Sequence, residues 1–432
     1  MPTTTRIATM SSATTLQVLP KRPHVVAVLR NPNRSNPRLP PELIDTIIDY
    51  LHEDISTLRN FALVSRRWLK STRYHLFHHV SVLASSDYAR PFAPFMRFLE
   101  TAPHIGQFIR ELELCGYEER HHARSEFGTL DSMQLIPIIR RLPFLHTLIL
   151  SQVFVVAPSA TGSWSEFTMR LRKLVYNEIY SDCEGAQWLV TVFKVYDTLH
   201  ILDPIPVPEK PSPAIMNMPA DSFNLLEDLK SLVIESRNDP MSLGKIEGLM
   251  PFIMKKVTSL ELLLELEEKE HIGRLEAFIR SKGTSLKHLR LDICDVEIFQ
   301  KGPGVNLTAI CPQLQSVHLC LSSNHTDIAS DHWGYGTAVI AHGPRSVRRV
   351  TIGMALSDHD NDNEPFTVDL AGFESALMGL KDLEWVKFQV EGGREGWKTT
   401  AECAQPLERE WKDYLVQHLP KLRNRGLLRF LE

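Results

Sequence analysis

The sequence is poor in cysteine. Six thiols in 432 residues, at Cys115, Cys183, Cys294, Cys311, Cys320 and Cys403, are too sparse for a disulfide scaffold. No two of them form a C-x-x-C pair, which excludes a zinc ribbon and a thioredoxin-type motif. No apolar run approaches the ~18 residues that span a bilayer, and no signal-peptide core opens the chain. Phosphate-cradling G-x-x-x-x-G-K-S/T and G-x-G-x-x-G loops are absent, as is the G-x-S-x-G nucleophile elbow. Pro and Gly together number 27 + 21 = 48, too few for collagen-like or low-complexity chains. Net charge is only −4, which argues against a general nucleic-acid binder. The expectation is a soluble, reduced protein of the cytoplasm or nucleus, with no cofactor.

Apolar residues make up 43% of the chain, and its length is ample for a sizeable core. Acidic residues are missing from the start: the first is Glu42. Residues 1–90 hold 12 Lys/Arg and 6 Asp/Glu, a balance of +6, so the remainder carries 36 − 46 = −10. This change of sign points to two parts with different partners. Residues 1–36 combine Thr/Ser clusters, scattered prolines and five basic residues. They bury too little apolar surface to fold and are read as disordered.

From Leu39 the character changes. Leu39-Pro40-Pro41-Glu42 opens a helix, because proline fits the first turn. Leu43, Ile47 and Leu51, with Ile44 and Ile48 alongside, make a broad apolar stripe opposite Asp45, Asp49 and His52. Asp54 or Ser56 caps a second helix carrying Leu58, Phe61 and Ala62, and Ser65 a third carrying Trp68, Leu69 and Leu76. Three short helices can hardly enclose so many large apolar side chains. Either a later part of this chain or a separate protein must cover the surplus.

The rest of the chain repeats a triplet of apolar residues at offsets 0, +3 and +5. The triplets are Ile109/Leu112/Leu114, Leu145/Leu148/Leu150, Leu171/Leu174/Tyr176, Tyr196/Leu199/Ile201 and Leu229/Leu232/Ile234. There follow Val257/Leu260/Leu262, Leu286/Leu289/Leu291, Leu314/Val317/Leu319, Val347/Val350/Ile352 and Leu383/Val386/Phe388. They start 25 to 36 residues apart. Each ends in an alternating stretch of strand period, and several are preceded by helix-like segments. Those segments are Phe92/Phe95/Met96/Leu99, Met133/Ile136/Ile139, Trp188/Val192/Val195, Leu275/Phe278/Ile279 and Phe373/Leu377/Leu380. The expected fold class is therefore α/β: parallel strands stacked side by side with helices outside, in an irregular leucine-rich-repeat-like solenoid. An ordinary α/β domain with a parallel sheet is the alternative. Only Cys294 supplies the Asn or Cys that such repeats place at offset +8, so the turns are expected to be irregular. Near the end, Leu407, Trp411, Leu415 and Leu419 predict an amphipathic helix stopped by Pro420, capping the last open strand edge.

The run from Leu39 to Phe77 resembles the F-box, the module that docks receptor proteins onto the Skp adaptor of cullin–RING ubiquitin ligases. The matching residues are Leu39, Pro40, Glu42, Leu43, Ile47, Leu51, Leu58, Ala62, Leu63, Val64, Ser65, Arg67 and Trp68. The whole chain is similar to fungal F-box proteins with an irregular leucine-rich-repeat body, and Cys311-Pro312-x-Leu314 echoes their approach to a strand. After the disordered segment 1–36, the resemblance implies a three-helix F-box over 37–85 and a substrate-binding body over 86–432. It implies adaptor contacts among Leu39, Pro40, Leu43, Ile47, Leu51, Val64 and Trp68, with Leu63 and Ala62 at least as well suited to interior packing. It also implies a non-catalytic subunit that reaches cullin and RING proteins through the adaptor and holds a protein substrate.

Residues alternating with the buried triplets would face that substrate. They are Glu111, Glu113, Lys173, Asn177, Glu235, Glu261, His288, Arg290, Asp292, His318, Arg349, Trp385 and Lys387, with no single chemical theme. The pairs His78-His79 and His121-His122 lack metal-ligand spacing and read as loop or surface histidines. Asp358-His359-Asp360-Asn361-Asp362-Asn363-Glu364 resembles the start of an EF-hand loop. Its sixth position lacks glycine and its twelfth, Asp369, is not glutamate, so a solvated acidic loop is expected instead. Asn306-Leu307-Thr308 and Asn324-His325-Thr326 are glycosylation sequons by pattern only. Two rival functions stand beside a ligase receptor: an F-box scaffold acting outside the ligase, and an enzyme with a cleft of convergent His, Cys or carboxylate groups.

Overall fold

Proline sets the start of the first helix. In the computed structural model, which describes residues 5–7, 39–85, 90–116, 129–156, 169–177, 180–181, 188–189, 192–202, 229–236, 257–265, 269–294, 306–322, 326–355, 368–391 and 401–430, helix α1 spans Pro41–Tyr50. Helix α2 spans Ile55–Val64, and Asp54 caps it by accepting the N–H of Thr57 at 2.9 Å. Helix α3 spans Leu69–His78. Ser65 does not cap α3 as expected. Its hydroxyl accepts the N–H of Arg67 and its carbonyl that of Trp68, so it opens a turn that ends at the helix.

Contacts divide the chain into two units, Met1–Phe154 and Val155–Glu432, a division inside the segment that the sequence reading treats as one body. In the first unit the strands Thr5–Ile7, His79–Leu83, Glu111–Cys115 and Thr147–Ser151 pair in that order, all parallel. Thr5–Ile7 lies in the segment read as disordered; most of that segment is outside the described residues. The His79–Leu83 strand falls within the residues assigned to the helical module. Phe77/Val80/Val82 has the 0, +3, +5 spacing, but Phe77 sits in the last turn of α3, which hides the pattern. Val80 faces Leu112 and Leu112 faces Leu148, so the +3 positions line up strand to strand.

The second unit extends the same rule. The strands Met169–Asn177, Phe193–Leu202, Ser231–Ser236, Ser259–Glu265, His288–Cys294, Ser316–Ser322, Arg349–Ala355, Trp385–Glu391 and Leu428–Phe430 form a parallel sheet, each pairing with the next. Leu174, Leu199, Leu232, Leu260, Leu289, Val317, Val350 and Val386 stand in one row. Tyr176, Ile201, Ile234, Leu262, Leu291, Leu319, Ile352 and Phe388 form the row two residues on. Every triplet residue is buried except Tyr196. Two apolar rows crossing successive strands make a continuous core, each full burial contributing about 1.5–3 kcal/mol. Triplets that start 25 to 36 residues apart leave room for the crossovers that parallel pairing demands.

Helices occupy several of these crossovers. Lys269–Lys282 buries Leu275, Phe278 and Ile279, and Leu370–Gly379 buries Phe373 and Leu377, as the spacing predicts. Ser132–Arg140 buries Leu135, Ile138 and Ile139 and leaves Met133 exposed, so its inward face is rotated from the expected one. Val195 belongs to a strand and not to the helix expected there, because the alternation of Phe193, Val195 and Leu199 continues into the sheet. The terminal helix Ala401–His418 stops before Pro420 and buries Trp411 and Leu415. The edge it was expected to cap is instead paired, because Gly426, at φ +66°, turns the chain so that Leu428–Phe430 joins Val386–Phe388. Among the described residues no helix is long and apolar enough to cross a membrane.

Candidate functional site

Helix α1 has apolar side chains on two faces, and only one is used internally. Ile44 and Ile48 point inward and form a core with Leu58 of α2 and Leu76 of α3. Leu51, Ile55, Phe61, Ala62, Trp68 and Phe77 pack against that core. Phe61 and Trp68 meet edge to face with ring centroids 4.9 Å apart, a geometry that aromatic quadrupoles favour. Polar ties add to it: Ser71 hydrogen-bonds Asp45, and His75 Nε2 lies 2.8 Å from Asp49 Oδ1. The three helices are thus held together without the other stripe.

That other stripe stays uncovered. Leu43 is 51% exposed and Ile47 45%, and Leu39, Pro40 and Val64 are exposed as well. Of the seven residues the resemblance singles out, these five face outward, whereas Leu51 and Trp68 are half-buried against the module's own core. Leu63 proves not to be an interior residue: it is 87% exposed, next to Val64. Tyr50, which sequence reasoning missed, extends the stripe at i+7 from Leu43. The i, i+4, i+7 spacing of Leu43, Ile47 and Tyr50 was the available signal. Side chains one residue apart lie about 100° apart around a helix, so Leu43 and Ile44 cannot share a face.

The strand-face residues gather in the second unit. His288, Ser316, Arg349 and Trp385 stand side by side in one row. The next row reads Glu261, Arg290, His318, Thr351, Lys387 and Arg429. The third runs Leu263, Asp292, Cys320, Gly353 and Gln389. His288, Arg290, His318, Arg349, Trp385 and Lys387 are half-buried, whereas Asp292 is buried. Burial, reinforced by the charges of Arg349 and Lys287, holds His288 below the ordinary histidine range. Register brings these residues together, including Arg429, which sequence reasoning missed because position 0 of its triplet is Arg425.

The same register places a thiol beside a base. Cys320 Sγ lies 3.8 Å from His318 Nε2 and 3.7 Å from Arg290 Nη2. Offset i, i+2 on a strand puts two side chains on one face, which the sequence already carried. The thiol is buried, and its sulfur accepts weakly from Arg290 Nη2. On the first unit's strands, Glu111 accepts from His79, whose Nδ1 lies 3.1 Å away, and this contact lowers the Glu111 carboxyl below its usual range. His78 and His79 are therefore not loop residues, and burial lowers His78. Asn306 and Asp369 serve as helix caps, accepting the N–H of Ala309 and of Gly372. The pair His121-His122 and the acidic run 358–364 lie outside the described residues. Among the described residues no three His, Cys, Asp or Glu side chains converge as a metal site. No protein-family model matches the chain, and no curated protein matches it.

Proposed function

We propose that this chain is the substrate-recognition subunit of an SCF-type ubiquitin ligase. In this reading α1–α3 are an F-box that docks on a Skp adaptor and, through it, on cullin and RING subunits. The strands and crossover helices form an irregular leucine-rich-repeat-like solenoid with outer helices, and its sheet face grips a protein substrate. The chain performs no chemistry itself. It raises the effective concentration of a substrate lysine near the charged conjugating enzyme.

The observation that carries the reading is the uncovered stripe of Leu39, Leu43, Ile47 and Val64 on a module whose core is already complete with Ile44, Ile48, Leu58 and Leu76. Apolar patches of this kind mark protein contacts. Buried anchors of that type each cost about 2 kcal/mol or more when truncated in a complex. The test is co-purification. The parent chain should recover a Skp adaptor and cullin, and Leu43→Asp with Ile47→Asp should lose both while remaining folded. Adaptor recovery by a folded double variant would refute the docking assignment. Recovery of adaptor without cullin would favour a scaffolding role outside the ligase.

A further inference from the structure

Lys387 stands directly opposite Arg429 on neighbouring parallel strands. Like charges in that position destabilise a sheet, so the pairing is not explained by stability. Arg349 lies on the strand on the other side of Lys387, flanked by Ser316 and Trp385, and its buried Nε has no hydrogen-bond partner. None of Arg349, Lys387 and Arg429 forms an ion pair or hydrogen bond among the described residues. Elsewhere in the unit Arg172, Arg280 and Arg348 each hold a carboxylate, of Asp197, Glu276 and Glu384. From the strand of His288 to that of Arg429, the first two rows contain no acidic residue. Arg290 and His318 are turned to Cys320; Glu235 and Glu261 lie on earlier strands, while Asp292 stands farther along the His288 strand and Glu391 ends the Lys387 strand, both beyond the first two rows. Register thus leaves two adjacent rows, from the His288 strand onward, free of acids on a face that looks mixed in sequence.

We propose that the face formed by His288, Arg349, Trp385, Lys387 and Arg429 binds an extended, carboxylate-rich segment of a partner protein. Arg349, Lys387 and Arg429 stand on three successive strands, so at about 4.8 Å spacing their charges spread over about 10 Å, with His288 and Trp385 beside them. An extended peptide places alternate side chains about 6.8 Å apart, so several acids on one side of a strand match several cations. A single phosphate would need all three cations to converge on one point, whereas they stand in line across three strands. Arginine offers a carboxylate a bidentate fork, and Trp385 offers an apolar flank beside it. The proposal rests on the assignment of this sheet face to substrate grip, but binding itself requires no adaptor.

The experiment measures fluorescence anisotropy of a labelled peptide of alternating glutamate and serine with the full chain. Binding should weaken as ionic strength rises, and should weaken by about tenfold in Arg349→Glu with Lys387→Glu. Arg429→Glu, at an exposed position, and the milder Arg349→Gln with Lys387→Gln should each weaken it too, which keeps the test valid if the first variant misfolds. An alternating lysine–serine peptide should not bind. Leu43→Asp with Ile47→Asp, which tests adaptor docking, should bind the acidic peptide as the parent does, so the two assignments fail separately. Equal binding by the parent and the folded charge variants would overturn the proposal. So would tighter binding of a phosphoserine peptide or a single-stranded RNA that depends on the same residues.

Discussion

Glu374 and Leu422 are joined by a buried hydrogen bond: the N–H of Leu422 donates to Glu374 Oε1 at 3.0 Å. The same oxygen accepts the N–H of Lys421 at 2.7 Å. These are orphan donors of the short helix Pro420–Asn424, so a carboxylate on Leu370–Gly379 caps a helix nearly fifty residues away in sequence. The cap sits just before the turn into the last strand.

Removing it should therefore loosen the end of the sheet. Glu374→Ala leaves two donors without their acceptor and should cost about 1–3 kcal/mol, whereas Glu374→Gln keeps an acceptor oxygen and should cost less. Hydrogen exchange at the Lys421 and Leu422 amides measures this directly. Unchanged protection in Glu374→Ala would contradict the capping role.

The two faces of α1 make a sharper test. Ile48, fully buried with Leu58, should cost about 2–5 kcal/mol when changed to alanine. Leu43→Ala and Val64→Ala, on the uncovered face, should change stability by no more than about 0.5 kcal/mol. Denaturant melts of the three variants separate the classes. A large loss for Leu43→Ala would mean that the stripe is sealed inside this chain.

Why the sequence could not divide α1 in this way is instructive. Leu43, Ile44, Ile47 and Ile48 are chemically alike, and period alone allows either pair to face inward. The strands were far more legible, because an apolar residue at +3 and at +5 is required wherever two rows cross a buried parallel sheet. The pattern failed where another element overlaid it, at Phe77, where a charged residue broke it, at Arg425, and at the strand Thr5–Ile7, where a threonine stands at +3. The cationic face was illegible for a different reason. His288, Arg349 and Lys387 are far apart in sequence, and only inter-strand register shows that no acid separates them.

Asp54 supplies a pH test of the helical module. Its carboxylate accepts from the Thr57 hydroxyl, the Thr57 N–H and the Ser56 hydroxyl, which together hold its pKa at about 2, below the ordinary 3.8. A lowered folded value means the contribution is complete above the unfolded value and is lost as pH falls through the folded one. The parent should therefore lose stability relative to Asp54→Asn as pH drops from about 4 to about 2. Asparagine caps without titrating, so paired melts across that window isolate the effect. A constant difference between parent and variant would show that Asp54 does not titrate in this way.

Gly283 tests how closely the connections of the second unit approach one another. A Cβ built there would lie 2.3 Å from the carbonyl oxygen of Ile310 and 2.7 Å from the sulfur of Cys311. The oxygen belongs to backbone at the end of the short helix Leu307–Ile310, so it cannot swing aside as a side-chain tip would. Cys311 is itself buried, and burial pushes its thiol up to about 12, so the sulfur is a neutral packing atom. Gly283→Ala should cost about 1–3 kcal/mol by forcing the approach to the Ser316–Ser322 strand away from the preceding one. Gly379→Ala, where a Cβ would meet nothing within 4 Å, should be tolerated or slightly stabilising. Thermal melts of the two variants side by side check the geometry. Equal stability of both would place Ile310 farther from Gly283 than the contact requires.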